Sequence, residues 1–440
     1  MSSARAVDAG SDREQRGRGA GGGRRRSTRR ALVALAAGSL LLVATACSSN
    51  GGTSTVGAAA GGGSASASAG ASDGSGASPS ASANSAAVVT ISPKNDSTGV
   101  NTNGALKVSV ATGKLTTVKV ASADGADIDG TIASDGSNWT PASALRSGTK
   151  YSVAATAVDS NGLSVTEQSS FTTMTPSNTN IGNFNVDPGA TYGVGMEVSI
   201  TFTHPVSSKY QDAVAKAISV TASPAVAVEG HWFGSSRLDL RPQSYWKPGT
   251  KVTLHMDLDG VETSTGVYGK QYKDVAFTIG RSQTSVADNT AHTLKVYRNG
   301  VLYKTLPASL GDADHTTYNG KMVITEKYSV IDMDSQTVGL GDAYNIKDVP
   351  HAMRLTTSGT FVHGNYWRPV STFGSENTSH GCVGLHDVQG GGDPSTPAAW
   401  FYNSSLIGDV VQVVNSPDKV VAPDNGLNGW NMSWSAWTSN

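Results

Sequence analysis

The sequence predicts a mostly β fold: two immunoglobulin-like β-sandwiches, then a β-rich domain with short helices and a C-terminal tail. From Val88 onward, short runs of alternating apolar and polar residues are separated by Asp-Gly, Asn-Gly and Ser-Gly pairs. Alternation of this kind, bounded by turn residues, is typical of strands rather than helices. An internal repeat also divides the first part of this region into two similar units.

The chain before Cys47 has the features of an export signal. Nine arginines and only three acidic residues lie before residue 31. An apolar stretch at residues 31–43 then separates them from Cys47. The stretch is too short for a comfortable transmembrane helix, and it ends in small residues, as signal peptides do. We expect residues 1–46 to be a signal peptide, read by either the Sec or the Tat export route.

The small residues lead directly into Cys47. The segment Thr45-Ala46-Cys47 resembles the lipobox of bacterial lipoproteins, although Ala44 stands where leucine is more usual. The resemblance implies a lipidated Cys47 that anchors the protein to the outer face of the cytoplasmic membrane. Ordinary secretion with an incidental cysteine is the alternative. Residues 47–86 are then the lipidated cysteine and a Gly/Ala/Ser-rich flexible tether that lets the protein reach into the cell wall.

The charge of the remaining chain excludes one class of partner. Beyond Cys47 there are 24 basic and 31 acidic residues, a net charge of −7. An acidic surface does not favour nucleic acid, so we expect no nucleic-acid partner.

The repeat defines the two sandwiches. The segment 139–153 aligns with 240–254, and Pro242 follows Pro141 by 101 residues, a period that suits an immunoglobulin-like domain. Similar strands near Phe171 and Phe277 close the two units. We expect sandwiches at residues 87–176 and 177–281 that act as spacers or scaffold, with ligand binding as the alternative.

A third unit is expected at residues 282–416, followed by a tail at 417–440. Asn299-Gly300 lies between two strand-like runs, which is a strong signal for a two-residue hairpin turn. A helix is expected only near residues 397–406. The tail contains Trp430, Trp434 and Trp437 at helical spacing, and we expect them to pack against the third unit rather than bind carbohydrate.

Cys382 is the candidate for chemistry. If Cys47 is lipidated, Cys382 has no disulfide partner, and an unpaired thiol in an exported protein is either buried or reactive. A reactive thiol needs a base and N–H donors for the oxyanion. His363 lies 19 residues upstream, and Gly381 lets the preceding backbone turn tightly.

His363, followed by Ser-His-Gly-Cys at residues 379–382, resembles the signature of the L,D-transpeptidase (YkuD) family. The segment 317–320 resembles the family's T-P-x-G segment, with Tyr318 replacing the proline. The order of two immunoglobulin-like domains, catalytic domain and tail resembles that of actinobacterial lipoprotein members, so the resemblance covers nearly the whole mature chain.

The resemblance implies acyl transfer on peptidoglycan. Cys382 would attack the carbonyl between the third residue and D-Ala4 of a tetrapeptide stem, and His363 would act as the base. A backbone carbonyl near Gly364 would orient His363, and N–H groups at residues 380–382 would hold the oxyanion. The implied catalytic residues are Cys382, His363, His380, Gly381 and Ser379.

The resemblance also implies partners. An amine of a second stem would give a 3→3 cross-link, water would give carboxypeptidase activity, and carbapenem-type β-lactams would act as inhibitors. No cofactor is implied. A metal site built from the local histidines, Asp387 and Cys382 lacks any recognised zinc spacing. The implied substrate-binding residues are Met333 and Tyr344, at positions of the substrate lid, together with Gly364, Asn365, Trp367 and Gly384.

Gly384 departs from the family, which usually has Arg or Asn two residues after the cysteine. The departure removes a side-chain donor near the stem's carboxylate or the active-site loop, and His386 and Arg368 are candidates to compensate. We expect Gly384→Asn to raise stem turnover. A non-catalytic wall-binding lipoprotein with an impaired site is the alternative function.

Overall fold

The structure is a computed structural model that describes residues 84–338, 341–342 and 344–439. The predicted signal peptide, Cys47 and most of the tether lie outside the described residues. Within these ranges strands predominate and helices are short, which confirms the mostly β fold class. No helix of the described ranges is long and apolar enough to cross a membrane.

The first sandwich consists of two antiparallel-rich sheets whose apolar faces meet. Its strands are β1 (Val88–Ser92), β2 (Ser97–Val100), β3 (Lys107–Ala111), β4 (Lys114–Ser122), β5 (Gly130–Ile132), β6 (Asn138–Pro141), β7 (Lys150–Val158) and β8 (Ser164–Thr173). The sheet orders are β1-β3-β6-β5 and β2-β8-β7-β4. Alternate residues of β7 from Tyr151 to Ala157 are buried, as period-two alternation predicts.

The second sandwich has the same two-sheet plan with additions. Its elements are β9 (Asn178–Asn180), β10 (Gly182–Phe184), β11 (Thr191–Tyr192), β12 (Val198–Phe202), α1 (Ser208–Lys216), β13 (Ile218–Ser223), β14 (Val228–Phe233), β15 (Arg237–Pro242), β16 (Lys251–Asp257), β17 (Glu262–Ser264), β18 (Val267–Gly269) and β19 (Tyr272–Ile279). The main sheets run β10-β12-β15-β14 and β11-β19-β16-β13. The repeated segments form equivalent strands, β6 and β7 in one unit and β15 and β16 in the other.

The third unit is built on one nine-stranded sheet. Its strands are β20 (Gln283–Asp288), β21 (Thr293–Arg298), β22 (Val301–Ser309), β23 (Gly320–Val323), β24 (Glu326–Asp334), β25 (Asn345–Arg354), β26 (Phe361–Asn365), β27 (Val383–His386) and β28 (Val410–Val414). The order is β23-β28-β20-β21-β22-β27-β26-β25-β24. Arg298 pairs with Val301, so the predicted Asn-Gly hairpin is confirmed.

Short helices complete the third unit and the tail. The α-helices are α2 (Pro397–Ser404) and α3 (Trp434–Thr438), and the 3₁₀ helices are Ser335–Val338, Val370–Thr372, Gln389–Gly391 and Gly429–Asn431. Pro397 begins α2, and the Thr396 side chain accepts a hydrogen bond from the Ala399 N–H.

The expected packing of the tail tryptophans on the third unit is wrong. Trp437 is fully buried against the second sandwich, where its ring lies 5.2 Å from the His231 ring and its Nε1 donates to the Glu229 carbonyl. The Arg241 guanidinium lies 4.7 Å and 4.3 Å from the ring centres of Trp430 and Trp437. A buried cation over aromatic faces is a favourable contact, and the second sandwich supplies it.

Candidate active site

A cavity beside strands β24, β25 and β26 brings together most of the predicted site residues. Its lining includes eight of them: Met333, Tyr344, His363, Asn365, Trp367, Ser379, His380 and Cys382. Arg368, expected as a candidate to compensate for Gly384, also lines it. Ile346 and Thr378 complete the lining, and the sequence analysis did not predict either of them. Apart from the nearby motif, no local signal identifies them.

Two parallel strands position the reacting groups. Strands β26 and β27 are paired so that His363 lies opposite Gly384 and Asn365 opposite His386. Because side chains alternate along strands, His363 and Asn365 project from the same face as position 384. His363 lies in the middle of β26. Cys382 directly precedes β27, after Gly381, whose φ of 103° suits only glycine.

Cys382 is a buried, neutral thiol. Its side chain is 8% exposed and packs among Ala352, Phe361 and neighbouring apolar residues. Sγ lies 3.4 Å from the Phe361 N and 3.6 Å from the Gly359 carbonyl oxygen. Burial raises the pKa of Cys382 to about 11, and the Phe361 N–H only partly offsets this. The resting group is therefore a thiol that needs a base.

His363 has the properties of that base. The ring is buried, and Nδ1 lies 2.8 Å from the Gly364 carbonyl oxygen. Because a carbonyl only accepts, Nδ1 carries the proton and Nε2 has a free lone pair. Trp367 stacks on the imidazole, with ring centres 5.6 Å apart. Burial lowers the pKa of His363, so the ring is neutral at rest.

The thiol and the imidazole share the cavity but are not yet hydrogen bonded. The partners recorded for Sγ among the described residues are Gly359 and Phe361. Catalytic hydrogen bonds are often long or misaligned before substrate binds. Rotation of the short Cys382 side chain about χ1 would redirect Sγ within the cavity that both groups line.

Gly364 is required by close packing. A Cβ atom at this position would lie 2.4 Å from Asp387 Oδ2 and 2.7 Å from Pro350 Cγ. Asp387 cannot easily move, because His351 Nδ1 and Thr396 Oγ1 donate to its carboxylate at 2.7 Å and 2.9 Å. The carbonyl that orients His363 therefore belongs to a residue that only glycine can occupy.

The turn before Cys382 is held by the Ser379 hydroxyl. Ser379 Oγ donates to the Cys382 carbonyl at 2.6 Å and accepts from the Gly381 N–H at 3.2 Å. Among the described residues, the N–H groups of His380 and Cys382 have no recorded acceptor, so these two remain for an oxyanion.

The His380 ring forms part of the cavity wall. It lies 5.1 Å from the Tyr344 ring and 4.5 Å from the His315 ring. Burial and the nearby His315 lower the pKa of His380, and burial raises the pKa of Tyr344 to about 12. Both side chains are therefore neutral near pH 7 and suit contacts with a peptide.

The candidates proposed to compensate for Gly384 lie at different places. Arg368 lines the cavity, whereas His386 packs beside Phe373 with ring centres 5.8 Å apart and is absent from the lining. Gly384 itself lies on β27, paired with Ser309 of β22 on one side and with His363 of β26 on the other.

Comparisons with known proteins cover both the sandwiches and the third unit. The L,D-transpeptidase catalytic domain (YkuD) model matches residues 282–413, and a bacterial Ig domain (Big_10) model matches residues 97–262. L,D-transpeptidase 2 of Mycobacterium tuberculosis is 32% identical over 353 residues, covering 79% of this chain and 83% of that protein. L,D-transpeptidase 5 of the same species is 29% identical over 362 residues, covering 80% and 76%.

A solved structure is similar over about half of the chain. The LD transpeptidase LdtMt1 in complex with imipenem is 31% identical, with a TM-score of 0.44 over 53% of this chain and 97% of that chain.

Proposed function

This chain belongs to the L,D-transpeptidase family, and we propose that Cys382 takes an acyl group from a peptidoglycan tetrapeptide stem. Cys382 then passes this acyl group to a second stem. The observation that supports this most directly is the placement of Cys382 and His363 in one cavity, with His363 Nδ1 bound to the Gly364 carbonyl.

The first half-reaction forms a thioester. His363 Nε2 takes the thiol proton as Sγ attacks the carbonyl between the third residue and D-Ala4. The N–H groups of His380 and Cys382 stabilise the oxyanion that forms. The C–N bond then breaks, and the imidazolium gives its proton to the departing D-Ala amine.

The second half-reaction transfers the acyl group. A side-chain amine of a second stem attacks the thioester, His363 accepts the proton from that amine, and the thiol is restored as the C–S bond breaks. The product is a 3→3 cross-link. If water is the acceptor, the product is a tripeptide stem, which is the carboxypeptidase alternative.

The same thiol explains an inhibitor class. A carbapenem presents a strained amide carbonyl, so the attack that releases D-Ala from a stem would instead open the β-lactam ring. The open ring stays attached to the protein and leaves a stable adduct on Cys382. We include carbapenem-type β-lactams among the proposed ligands.

The cellular location is also a proposal. A lipidated Cys47 and the Gly/Ala/Ser-rich tether would hold the sandwiches and the catalytic domain outside the cytoplasmic membrane, where peptidoglycan stems are found. A tether of about 39 residues spans roughly 35 Å on average.

Mass spectrometry of products from a disaccharide-tetrapeptide tests the proposed function. We expect a dimer that has lost one D-Ala, and no dimer from Cys382→Ala. Tripeptide alone would support the carboxypeptidase alternative. No product from a folded wild-type protein would contradict catalysis and favour the wall-binding alternative.

A further inference from the structure

The space beside Gly384 is bordered by a polar side chain of the neighbouring strand. A Cβ atom at position 384 would lie 3.7 Å from Asn365 Nδ2 and 3.8 Å from Asn365 Cβ. Asn365 is on the neighbouring strand β26, two residues after His363, and its side chain projects from the same face. The Asn365 amide therefore leans over Gly384.

Asn365 is buried yet faces the cavity. Its side chain is 2% exposed, and the residue belongs to the lining that also contains Cys382 and His363. A Cβ at position 384 would make only ordinary contacts with Asn365, but the longer side chain of an asparagine or arginine would extend into the space beside the Asn365 amide.

The hydrogen-bonding pattern fixes which end of the amide faces the cavity. Asn365 Oδ1 accepts from the Arg368 backbone N–H at 3.1 Å. A flipped amide would place two donors against each other, so Nδ2 must be the group beside Gly384. Among the described residues no acceptor is recorded for Nδ2. Nδ2 is not one of the fully buried unpaired atoms of the described residues, so this donor is accessible, and the accessible side of Asn365 is the cavity that it lines.

We propose that Asn365 supplies, from the adjacent strand, the side-chain donor that position 384 lacks, and that its Nδ2 binds a carboxylate or carbonyl oxygen of the stem peptide. The inference rests on the proposed function, because the ligand is the donor stem. It gives Asn365, already implied to bind substrate, the specific role of the missing donor, and it makes Gly384 its steric counterpart.

The inference reverses the expectation for Gly384→Asn. The new Cβ would lie 3.3 Å from the Ser309 carbonyl oxygen, a tight but tolerable contact, and the new amide would meet Asn365. Two asparagines would occupy a space that suits one. We now expect Gly384→Asn alone to leave stem turnover unchanged or lower it.

A double-mutant cycle tests whether Asn365 replaces a donor at position 384. The variants are Asn365→Ala, Gly384→Asn and the double substitution, with Asn403→Ala as a matched control because Asn403 is exposed on α2 outside the cavity. Each is assayed for kcat/KM on tetrapeptide stem and for the rate of imipenem acylation. Thermal unfolding verifies that each variant is folded.

We expect Asn365→Ala to lower kcat/KM for stem by about 10- to 150-fold, the usual worth of a hydrogen bond to a charged group. Imipenem acylation should change far less, because imipenem lacks the rest of the stem. The double variant should regain most of the lost stem turnover, and Asn403→Ala should match wild type.

Two results would overturn the inference. One is stem turnover by Asn365→Ala that equals wild type. The other is a double variant no more active on stem than Asn365→Ala, because an asparagine at 384 should restore the donor once the Asn365 side chain is removed. Failure of the proposed function looks different, since wild type itself would then release no D-Ala.

Discussion

At the scale of single residues, burial sets the protonation of the reacting pair. It raises the pKa of the Cys382 thiol to about 11 and lowers the pKa of His363, so both groups are neutral at rest. Attack then requires transfer of the proton to His363 in the same step, rather than a preformed thiolate. A thiol of this kind resists adventitious oxidation, because the thiolate is the species that oxidises.

The protonation of the pair predicts a pH profile. Acylation needs neutral His363, whose pKa lies below its ordinary value of 6.5. The imipenem acylation rate should stay nearly constant from about pH 7 to about pH 9 and fall only at lower pH, as His363 becomes protonated. Stopped-flow absorbance of the β-lactam measures this. A steep rise between about pH 8 and 9 would instead indicate an ordinary thiol that ionises by itself.

The packing of Gly364 predicts a sharp response to one methyl group. Gly364→Ala would place a Cβ against the fixed Asp387 carboxylate and displace the carbonyl that orients His363. We expect imipenem acylation to fall by about 100-fold, the cost of a misplacement near 1 Å. Gly392→Ala is the control, because its Cβ would meet no atom within 4 Å. Equal rates in the two variants would contradict this role for Gly364.

At the scale of elements, the sequence predicts those features that depend on a few neighbouring residues. The Asn299-Gly300 hairpin and the Pro397 helix start each depend on a few adjacent residues, and both are present. Helix α1 was missed because only Val214 of its nine residues is buried, too few for an apolar stripe. The packing of the tail tryptophans was wrongly predicted because Trp437 contacts His231, 206 residues away in the sequence.

The same reasoning applies to the site. The spacing of His363 and Cys382 drew attention to two groups that do share a cavity. The approach of Asn365 to Gly384 follows from the register of β26 against β27, which no residue spacing reveals.

The buried tail predicts a stability effect. Trp437 is fully buried, and its Nε1 donates to the Glu229 carbonyl. Trp437→Ala should lower the free energy of unfolding of this region by about 3–5 kcal/mol, through lost packing and a cavity. Trp434→Ala, which removes a partly exposed ring, should cost clearly less. Circular dichroism in urea compares the two, and equal losses would contradict the packing described for α3.

At the scale of the whole molecule, the tail joins the second sandwich to the catalytic domain. Trp430 Nε1 donates to the Gly195 carbonyl at 2.7 Å on the sandwich side. On the catalytic side, Asn428 Oδ1 accepts from the Val323 N–H and Asn431 Oδ1 from the Lys321 N–H. Through the tail, the sandwich and the catalytic domain are thus joined by hydrogen bonds between side chains and backbone groups as well as by packing.

The proposed lipid anchor predicts where the protein fractionates. Cys47→Ala removes the only thiol that could carry the diacylglycerol, so the protein should move from the membrane fraction to the soluble fraction. Immunoblotting of separated fractions measures this, with Cys382→Ala as the matched control that should stay with the membrane. Identical soluble distributions of wild type and Cys47→Ala would show that Cys47 is not an anchor.

The central claim is that Cys382 is the nucleophile and His363 its base, and the mass of the protein after exposure to imipenem tests it most directly. We expect wild type to gain the mass of one imipenem, with the adduct mapped to the peptide that contains Cys382. Cys382→Ala should gain no mass, and a folded His363→Ala should react at least about 100-fold more slowly. An adduct that persists on Cys382→Ala would contradict the account.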